Sequence, residues 1–264
     1  MKPKLTQMLN NMYRYNSVNM AVQVFGLDPA IIYDALVVAP GWTPMKILRD
    51  PLFKTTVLRQ ATYTSGYLVE KEGLKLAWIQ TASGACNLID HLSICAELQF
   101  KKLIFIGAVG SLVQKFDIGD LCTPSRSIAG VYANAYLCDQ LADYKPFEGV
   151  YPDENYLSHV ISLASDSGYE LKKAVTYCTD FISMEYSHLD EIKATGAELI
   201  EMETSSFYLL AELMEVPAIA LLIVSDNSAS GQPLIGQSEA QREKFETGRR
   251  VIIPDLICRI AKED

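Results

Sequence analysis

The sequence has few of the residues that build metal and redox centres. It holds three histidines, at 91, 159 and 188, and none stands at ligand spacing to a cysteine. Its six cysteines, at 86, 95, 122, 138, 178 and 258, form no CxxC pair. A zinc ribbon and a thioredoxin-like motif are thereby excluded. The expectation is a set of buried, reduced thiols in a cytoplasmic protein that carries no metal. No apolar run reaches the roughly 18 residues of a membrane span, and the opening MKPKLTQMLNNMYRYN lacks the apolar core of a signal peptide. Basic residues are in deficit: 23 Lys and Arg against 32 Asp and Glu leave a net charge of -9. Nucleic acid and anionic membrane surfaces need a basic face, so neither is the expected partner. A small anion held by a few local cations remains compatible with that charge. The two tryptophans, Trp42 and Trp78, are expected in packing.

What is present is a chain of 264 residues, 49% hydrophobic, long enough to bury its own core without staples. Apolar runs that suit buried strands alternate with segments of helical spacing. Ala35–Val38, Leu103–Ile106, Ala174–Tyr177 and Pro217–Val224 read as strands, the last (PAIALLIV) as one buried on both faces. Tyr63–Val69 and Leu74–Ile79 flank Lys71-Glu72-Gly73 and read as a hairpin. Leu121–Val131 looks extended. Helices are expected near Ser17–Phe25, Cys86–Leu98, Tyr156–Ser165 and Glu203–Met214, with a long terminal helix over Ser238–Ile260 interrupted at Pro254. Residues 139–155 are polar and read as a surface loop. No linker divides the chain. The pattern predicts one α/β domain over 36–264 with a mixed central sheet flanked by helices, preceded by an extension over 1–35.

Ligands of open α/β sheets bind beyond the carboxyl ends of the strands. That rule selects four segments: Ala39–Lys46, Gly107–Ser111, Thr179–Ile182 and Ser225–Asn227. Asp226 follows eight apolar residues directly, and position alone leaves it either a ligand-facing acid or a cap. Gly107 and Gly110 permit close approach of backbone to a ligand, or simply a tight turn; they do not make GxGxxG. Glu201-Met202-Glu203 precedes a helix, where acidic residues also suit the macrodipole. The three histidines suggest neither a metal site nor a triad.

Together these segments resemble the nucleoside phosphorylase-I family, which includes hexameric purine nucleoside phosphorylases, uridine phosphorylases and methylthioadenosine nucleosidases. The resemblance rests on Glu201-Met-Glu-Thr-Ser-Ser-Phe followed about twenty residues on by Leu222-Ile-Val-Ser-Asp226-Asn. It rests also on Lys102-Leu-Ile-Phe-Ile-Gly-Ala-Val-Gly-Ser111 with Ile118-Gly-Asp120 behind it, and on Val37-Val-Ala-Pro-Gly41. The order holds from about residue 35 to 250, and the first 35 residues fall outside it.

The resemblance implies roles. Asp226 would protonate the leaving base, with Ser225 beside it and Arg242 on the following helix in support. Glu203 would hold the ribose hydroxyls, Met202 would pack on the sugar, and Glu201 opens the same substrate-binding triplet. Phe181, twenty residues before Glu201, would stack on the base. Gly41, Lys46 and Gly107 would lie at phosphate, and Arg59 would reach phosphate from a neighbouring subunit of a dimer or a hexamer. The implied reaction is phosphorolysis of a nucleoside to free base and ribose 1-phosphate, with phosphate as co-substrate and no cofactor. An aspartate after the serine, and the lack of a Gln-x-Arg pair between Phe181 and Glu201, favour purine over uridine. The sequence also departs from the family. Phe105 and Ala108 stand where the phosphorylases carry an arginine and a hydroxyl, and the first turn reads Gly41-Trp-Thr-Pro-Met-Lys46. A lysine there supplies a point charge rather than a bidentate fork. A water-using nucleosidase and a non-catalytic nucleoside-binding homologue therefore stay open as alternatives.

Overall fold

The computed structural model describes residues 1–263, so Asp264, the last residue of the expected domain, lies outside it. From the first hundred residues come β1 (Ile32–Tyr33), β2 (Ala35–Pro40), β3 (Lys54–Gln60), β4 (Ser65–Lys71), β5 (Leu74–Thr81) and β6 (Gln99–Phe100). They are followed by β7 (Leu103–Ser111), β8 (Leu121–Ala129), β9 (Gly149–Val150), β10 (Leu171–Cys178), β11 (Leu199–Glu201) and β12 (Ala218–Asn227). The main sheet runs in the order β11-β10-β8-β12-β7-β2-β5-β4-β3, with β9 paired to β8. Its centre, β12-β7-β2-β5, is parallel, and the β3-β4-β5 meander is antiparallel. The short strand β11 pairs with β10 on one side and with β7 on the other. That second pairing closes β7, β12, β8, β10 and β11 into a ring.

The apolar runs are continuous because both faces of the sheet are covered. Alternation by two sends Leu103 and Phe105 of β7 to one core and Ile104 and Ile106 to the other. In β12, Ala218, Ala220, Leu222 and Val224 face the first core, and Ile219, Leu221 and Ile223 the second. Each fully buried Leu, Ile or Val contributes about 1.5–3 kcal/mol. The first core lies under the helices Pro3–Tyr13, Met20–Phe25, Ala85–Ser93 and Thr204–Met214; the second lies under Glu154–Asp166 and Ile253–Lys262. Helices on both faces of a mixed sheet are the architecture expected from the sequence.

Several local features depart from expectation. Pro3–Tyr13 is a helix, although its sequence is mostly polar. Leu5 and Leu9, one turn apart, are buried in the first core, and Met8 and Met12 pack beside them. The Lys2 N–H donates to the Leu213 carbonyl oxygen at 2.8 Å. The terminal helix is not broken at Pro254. Glu239–Thr247 passes through a π-helical stretch, Gly248–Ile252, directly into Ile253–Lys262, with Pro254 in the first turn after that stretch. The edge strand β3 was not anticipated ahead of the hairpin. Of the thiols, Cys95, Cys122, Cys178 and Cys258 are buried as expected, Cys138 is half-buried and Cys86 is exposed; all are free. No described helix is long and apolar enough to cross a membrane.

The helix Met20–Phe25 meets the sheet at Gly66 of β4. A Cβ built there would stand 1.9 Å from the Phe25 carbonyl oxygen. Gly66→Ala is therefore expected to cost about 3 kcal/mol through overpacking against backbone. Chemical denaturation measures this, and a loss below about 1 kcal/mol would show that the helix moves aside freely.

Candidate active site

The four strand-end segments selected by the sequence converge on one cavity of about 340 Å³. Pro40, Gly41 and Trp42 line it from the end of β2, and residues 107–110 from β7. Thr179 and Ile182 enter after β10, and Ser225 and Asp226 lie at the end of β12. Glu201, Met202 and Glu203 complete the wall between β11 and the helix Thr204–Met214. Gly41 has φ 69°, a left-handed turn that suits glycine, and no heavy atom lies within 4 Å of where a Cβ would stand. Its requirement is conformational.

The two glutamates of the triplet have different partners. Glu201 is buried, and its carboxylate is fully occupied by its own chain. One oxygen accepts from the Cys178 thiol and the Thr204 hydroxyl, each at 2.7 Å. The other accepts from the N–H groups of Glu203 and Thr204, both at 2.7 Å. Glu201 thus caps the start of the Thr204–Met214 helix, and its carboxylate carries structure even though the residue borders the cavity. Glu203 is also buried, and backbone N–H groups reach it, that of Gly84 at 2.5 Å. Burial, and then the charge of Glu201, push the Glu203 carboxyl up to about 8. Burial raises Glu201 as well, but its four hydrogen bonds favour its ionised form more than those of Glu203 do.

Asp226 ends the apolar strand with its carboxyl half-buried in the cavity. The Ser225 hydroxyl donates to Asp226 Oδ1 at 2.7 Å. Burial raises the Asp226 carboxyl above its ordinary value, against that hydrogen bond. Asp226 therefore faces the cavity, and the cap reading falls away. The Gly110 position explains its placement: a Cβ there would meet Asp226 Oδ2 at 3.1 Å, so glycine gives the carboxyl room.

Four residues named from the sequence lie outside the cavity lining. Phe181 is 65% exposed and borders a neighbouring hollow with Phe147 and Tyr177. A turn at Thr179, whose Oγ1 accepts from the Phe181 N–H at 3.3 Å, carries Phe181 outward and leaves Ile182 and Tyr186 on the cavity. Arg242 is exposed on its helix and borders a separate hollow reached from Ser225 and Leu234. Gln237, whose side-chain amide donates to the Ser225 carbonyl oxygen at 2.6 Å, stands behind the acid in its stead. Lys46 is exposed at the rim, its Nζ 3.5 Å from the Gly41 carbonyl oxygen. Arg59 is exposed on the edge strand β3, opposite Gly66. Gly107 and Met202 do line the cavity.

Sequence reasoning missed Ser83, Gly84 and Glu185. Gly84, at φ 102°, precedes the helix Ala85–Ser93 and turns its N–H onto Glu203; the Ser-Gly pair before a helical run was the available signal. Glu185 lies between β10 and the helix Leu189–Ala194, in a segment without apolar periodicity to mark it. Burial, and then the charge of Asp226, push its carboxyl up to about 7. The cavity is thus lined by four carboxyl side chains, Glu185, Glu201, Glu203 and Asp226, and by no Lys, Arg or His among the described residues. Phe105 is buried with its ring 5.4 Å from that of Phe207, so an arginine placed there would enter the core without a partner.

Raised carboxyl values carry a stability consequence. Glu203, Asp226 and Glu185 are all shifted in the same direction. Their contribution to stability is fully present below the ordinary carboxyl range and is lost as the pH rises through the raised values near 7 and 8. The ligand-free protein should melt at a lower temperature at pH 8.5 than at pH 6, roughly. Glu203→Gln should remove part of that dependence and raise Tm at the upper pH by about 2–4 °C, the shift of roughly 1 kcal/mol in a protein this size. Thermal melts at both pH values check it; a pH-independent difference between the proteins would refute the protonation argument.

The cavity at the carboxyl ends of the mixed sheet, with an acid at the end of β12 and a buried glutamate after β11, is the candidate active site of an α/β fold. The family model described as the phosphorylase superfamily matches residues 45–251. The chain belongs to that superfamily, in its nucleoside phosphorylase-I family. Uridine phosphorylase from Vibrio fischeri ES114, solved in complex with 6-hydroxy-1-naphthoic acid, has a similar fold: TM-score 0.71 over 90% of this chain and 95% of that one, at 14% identity. No curated protein sequence matches. Among the described residues no group of three or more His, Cys, Asp or Glu is placed to hold a metal ion.

Proposed function

We propose that the protein cleaves the N-glycosidic bond of a purine nucleoside by phosphorolysis, giving free base and ribose 1-phosphate. The observation that carries this reading is that Asp226 and Glu203 face one cavity, the first with its carboxyl value raised and the second with one oxygen held by Gly84. As the C1′–N9 bond breaks, its electron pair leaves with the base, and Asp226 neutralises the developing charge by giving its proton to N7. Glu203 accepts from the ribose hydroxyls and faces a sugar that becomes positive. A phosphate oxygen then attacks C1′ from the opposite side. Backbone N–H groups at the Gly41 and Gly107 turns, and Lys46 at the rim, are the phosphate-side candidates in one chain. Arg59, on an edge strand, would come from a second copy in a homo-oligomer.

The lack of a basic side chain in the cavity favours a second reading, in which water replaces phosphate. Release of free base from adenosine and inosine, with and without phosphate, separates the two. Phosphorolysis is expected, with a phosphate constant in the millimolar range or weaker, about -4 kcal/mol, because few cations serve the site. Base release that ignores phosphate would establish the water reading; none under either condition would overturn both.

A further inference from the structure

We propose that Asn87 is a positioning residue: it holds the Ser83–Gly84 peptide so that the Gly84 N–H meets Glu203, and through Glu203 it governs how the cavity binds a sugar. The inference rests on the cleavage reading above for the contact between Glu203 and the ribose hydroxyls.

Gly84 precedes the helix Ala85–Ser93 with φ 102° and ψ 148°, a region of backbone space essentially closed to residues with a Cβ. Lack of space is not the reason for glycine here, since the nearest heavy atom to a Cβ at that position would be Asn87 Nδ2, at 4.0 Å. The conformation has a use in the site. A trans peptide points its C=O and its N–H in opposite directions, so holding one aims the other. Asn87 Nδ2 donates to the Ser83 carbonyl oxygen at 2.9 Å, and the N–H of the same peptide, that of Gly84, donates to Glu203 Oε1 at 2.5 Å. The next peptide is fixed too, because the Leu88 N–H donates to the Gly84 carbonyl oxygen at 3.0 Å. At the third position of a helix, a Glu or Gln commonly reaches back and accepts the N–H of the capping residue. Asn87 occupies that position and instead donates to the carbonyl before the cap, which leaves the Gly84 N–H to Glu203. Glu203 is 6% exposed, and the other backbone donor that reaches it is Met202, its own neighbour in sequence. Gly84 is thus the donor that ties the Glu203 carboxyl to a distant segment, 119 residues away along the chain.

The experiment uses Asn87→Ala, which deletes the donor, and Asn87→Asp, which keeps the shape without the amide N–H; agreement between the two separates loss of the donor from a change of charge. Amide NMR of the ligand-free proteins reads the Gly84 N–H directly: in both variants its proton signal should move upfield and exchange faster with solvent. Calorimetry reads the sugar. Adenosine affinity should fall about 3- to 10-fold, the scale of one hydrogen bond, while that of adenine, which has no sugar, should change by less than about twofold. In a Glu203→Ala background, Asn87→Ala should weaken adenosine no further. An unchanged Gly84 signal overturns the proposal, and so does a displaced signal with unchanged adenosine affinity. Equal weakening of adenosine and adenine, or the same loss with and without the Glu203 carboxyl, overturns it as well, because a merely structural role would give either. A displaced Gly84 signal in proteins none of which binds adenosine removes the cleavage reading and leaves Asn87 as the residue that positions Glu203.

Discussion

Asp226→Asn is expected to lower turnover of purine nucleosides by about 10²–10⁴, the range over which a positioned general acid acts. Asparagine has nearly the shape of aspartate, and its side-chain oxygen can still accept from the Ser225 hydroxyl that now bonds Oδ1 at 2.7 Å. The cavity wall should therefore stay in place and nucleoside affinity should change by less than threefold or so, the scale of a few tenths of a kcal/mol. What disappears is the proton that the leaving base needs. The loss should appear in kcat, since the proton moves only as the bond breaks. Steady-state kinetics with calorimetric affinities makes the split. Turnover within about threefold of the unmodified protein would mean that another group, or the solvent, protonates the base.

Glu201→Ala should be the most destabilising change in the site, by about 3 kcal/mol or more. The substitution leaves the Cys178 thiol, the Thr204 hydroxyl and two backbone N–H groups without the carboxylate that now accepts from all four. All lie in buried surroundings. Tm should fall by about 6–12 °C on that basis. At the same time the charge that helps to raise Glu203 is gone, so Glu203 should titrate at a lower pH. A melt together with a pH titration reads both effects. A loss below about 1 kcal/mol would mean that water enters and serves the four donors.

The architecture was legible because a continuous apolar run of strand length, bounded by polar turns, marks a strand covered on both faces. Residues 218–224 are apolar throughout, and the even and odd positions supply the two cores separately. The same rule located four loop segments, and the cavity joins residues of all four. What the sequence concealed were features set by tertiary context. The helix Pro3–Tyr13 has only a narrow apolar stripe among Lys, Thr, Gln and Asn, and it is stabilised by docking rather than by propensity. Phe181 was assigned by position in a resemblance, whereas the turn at Thr179 decides which way it points. Arg242 was placed by a similar count, through a segment whose path that count does not specify. Glu201 and Glu203 are separated by one residue and alike in type; only the donors that surround each distinguish a helix cap from a cavity-facing acid.

The closed ring of β7, β12, β8, β10 and β11 backs one wall of the site, and the other wall stands outside it. Asp226 ends β12, and Glu203 follows β11, and both strands are hydrogen-bonded to β7. The placement of Asp226 relative to Glu203 is thereby set by backbone ladders that cannot shift without opening the ring. Glu185, Ile182 and Tyr186 belong to a connection outside those ladders, between β10 and the helix Leu189–Ala194. Changes of length or composition in that connection can reshape one wall of the cavity while the placement of Asp226 and Glu203 is preserved. On the proposed function, engineered changes of substrate should begin in that connection, which borders the cavity without belonging to the ring.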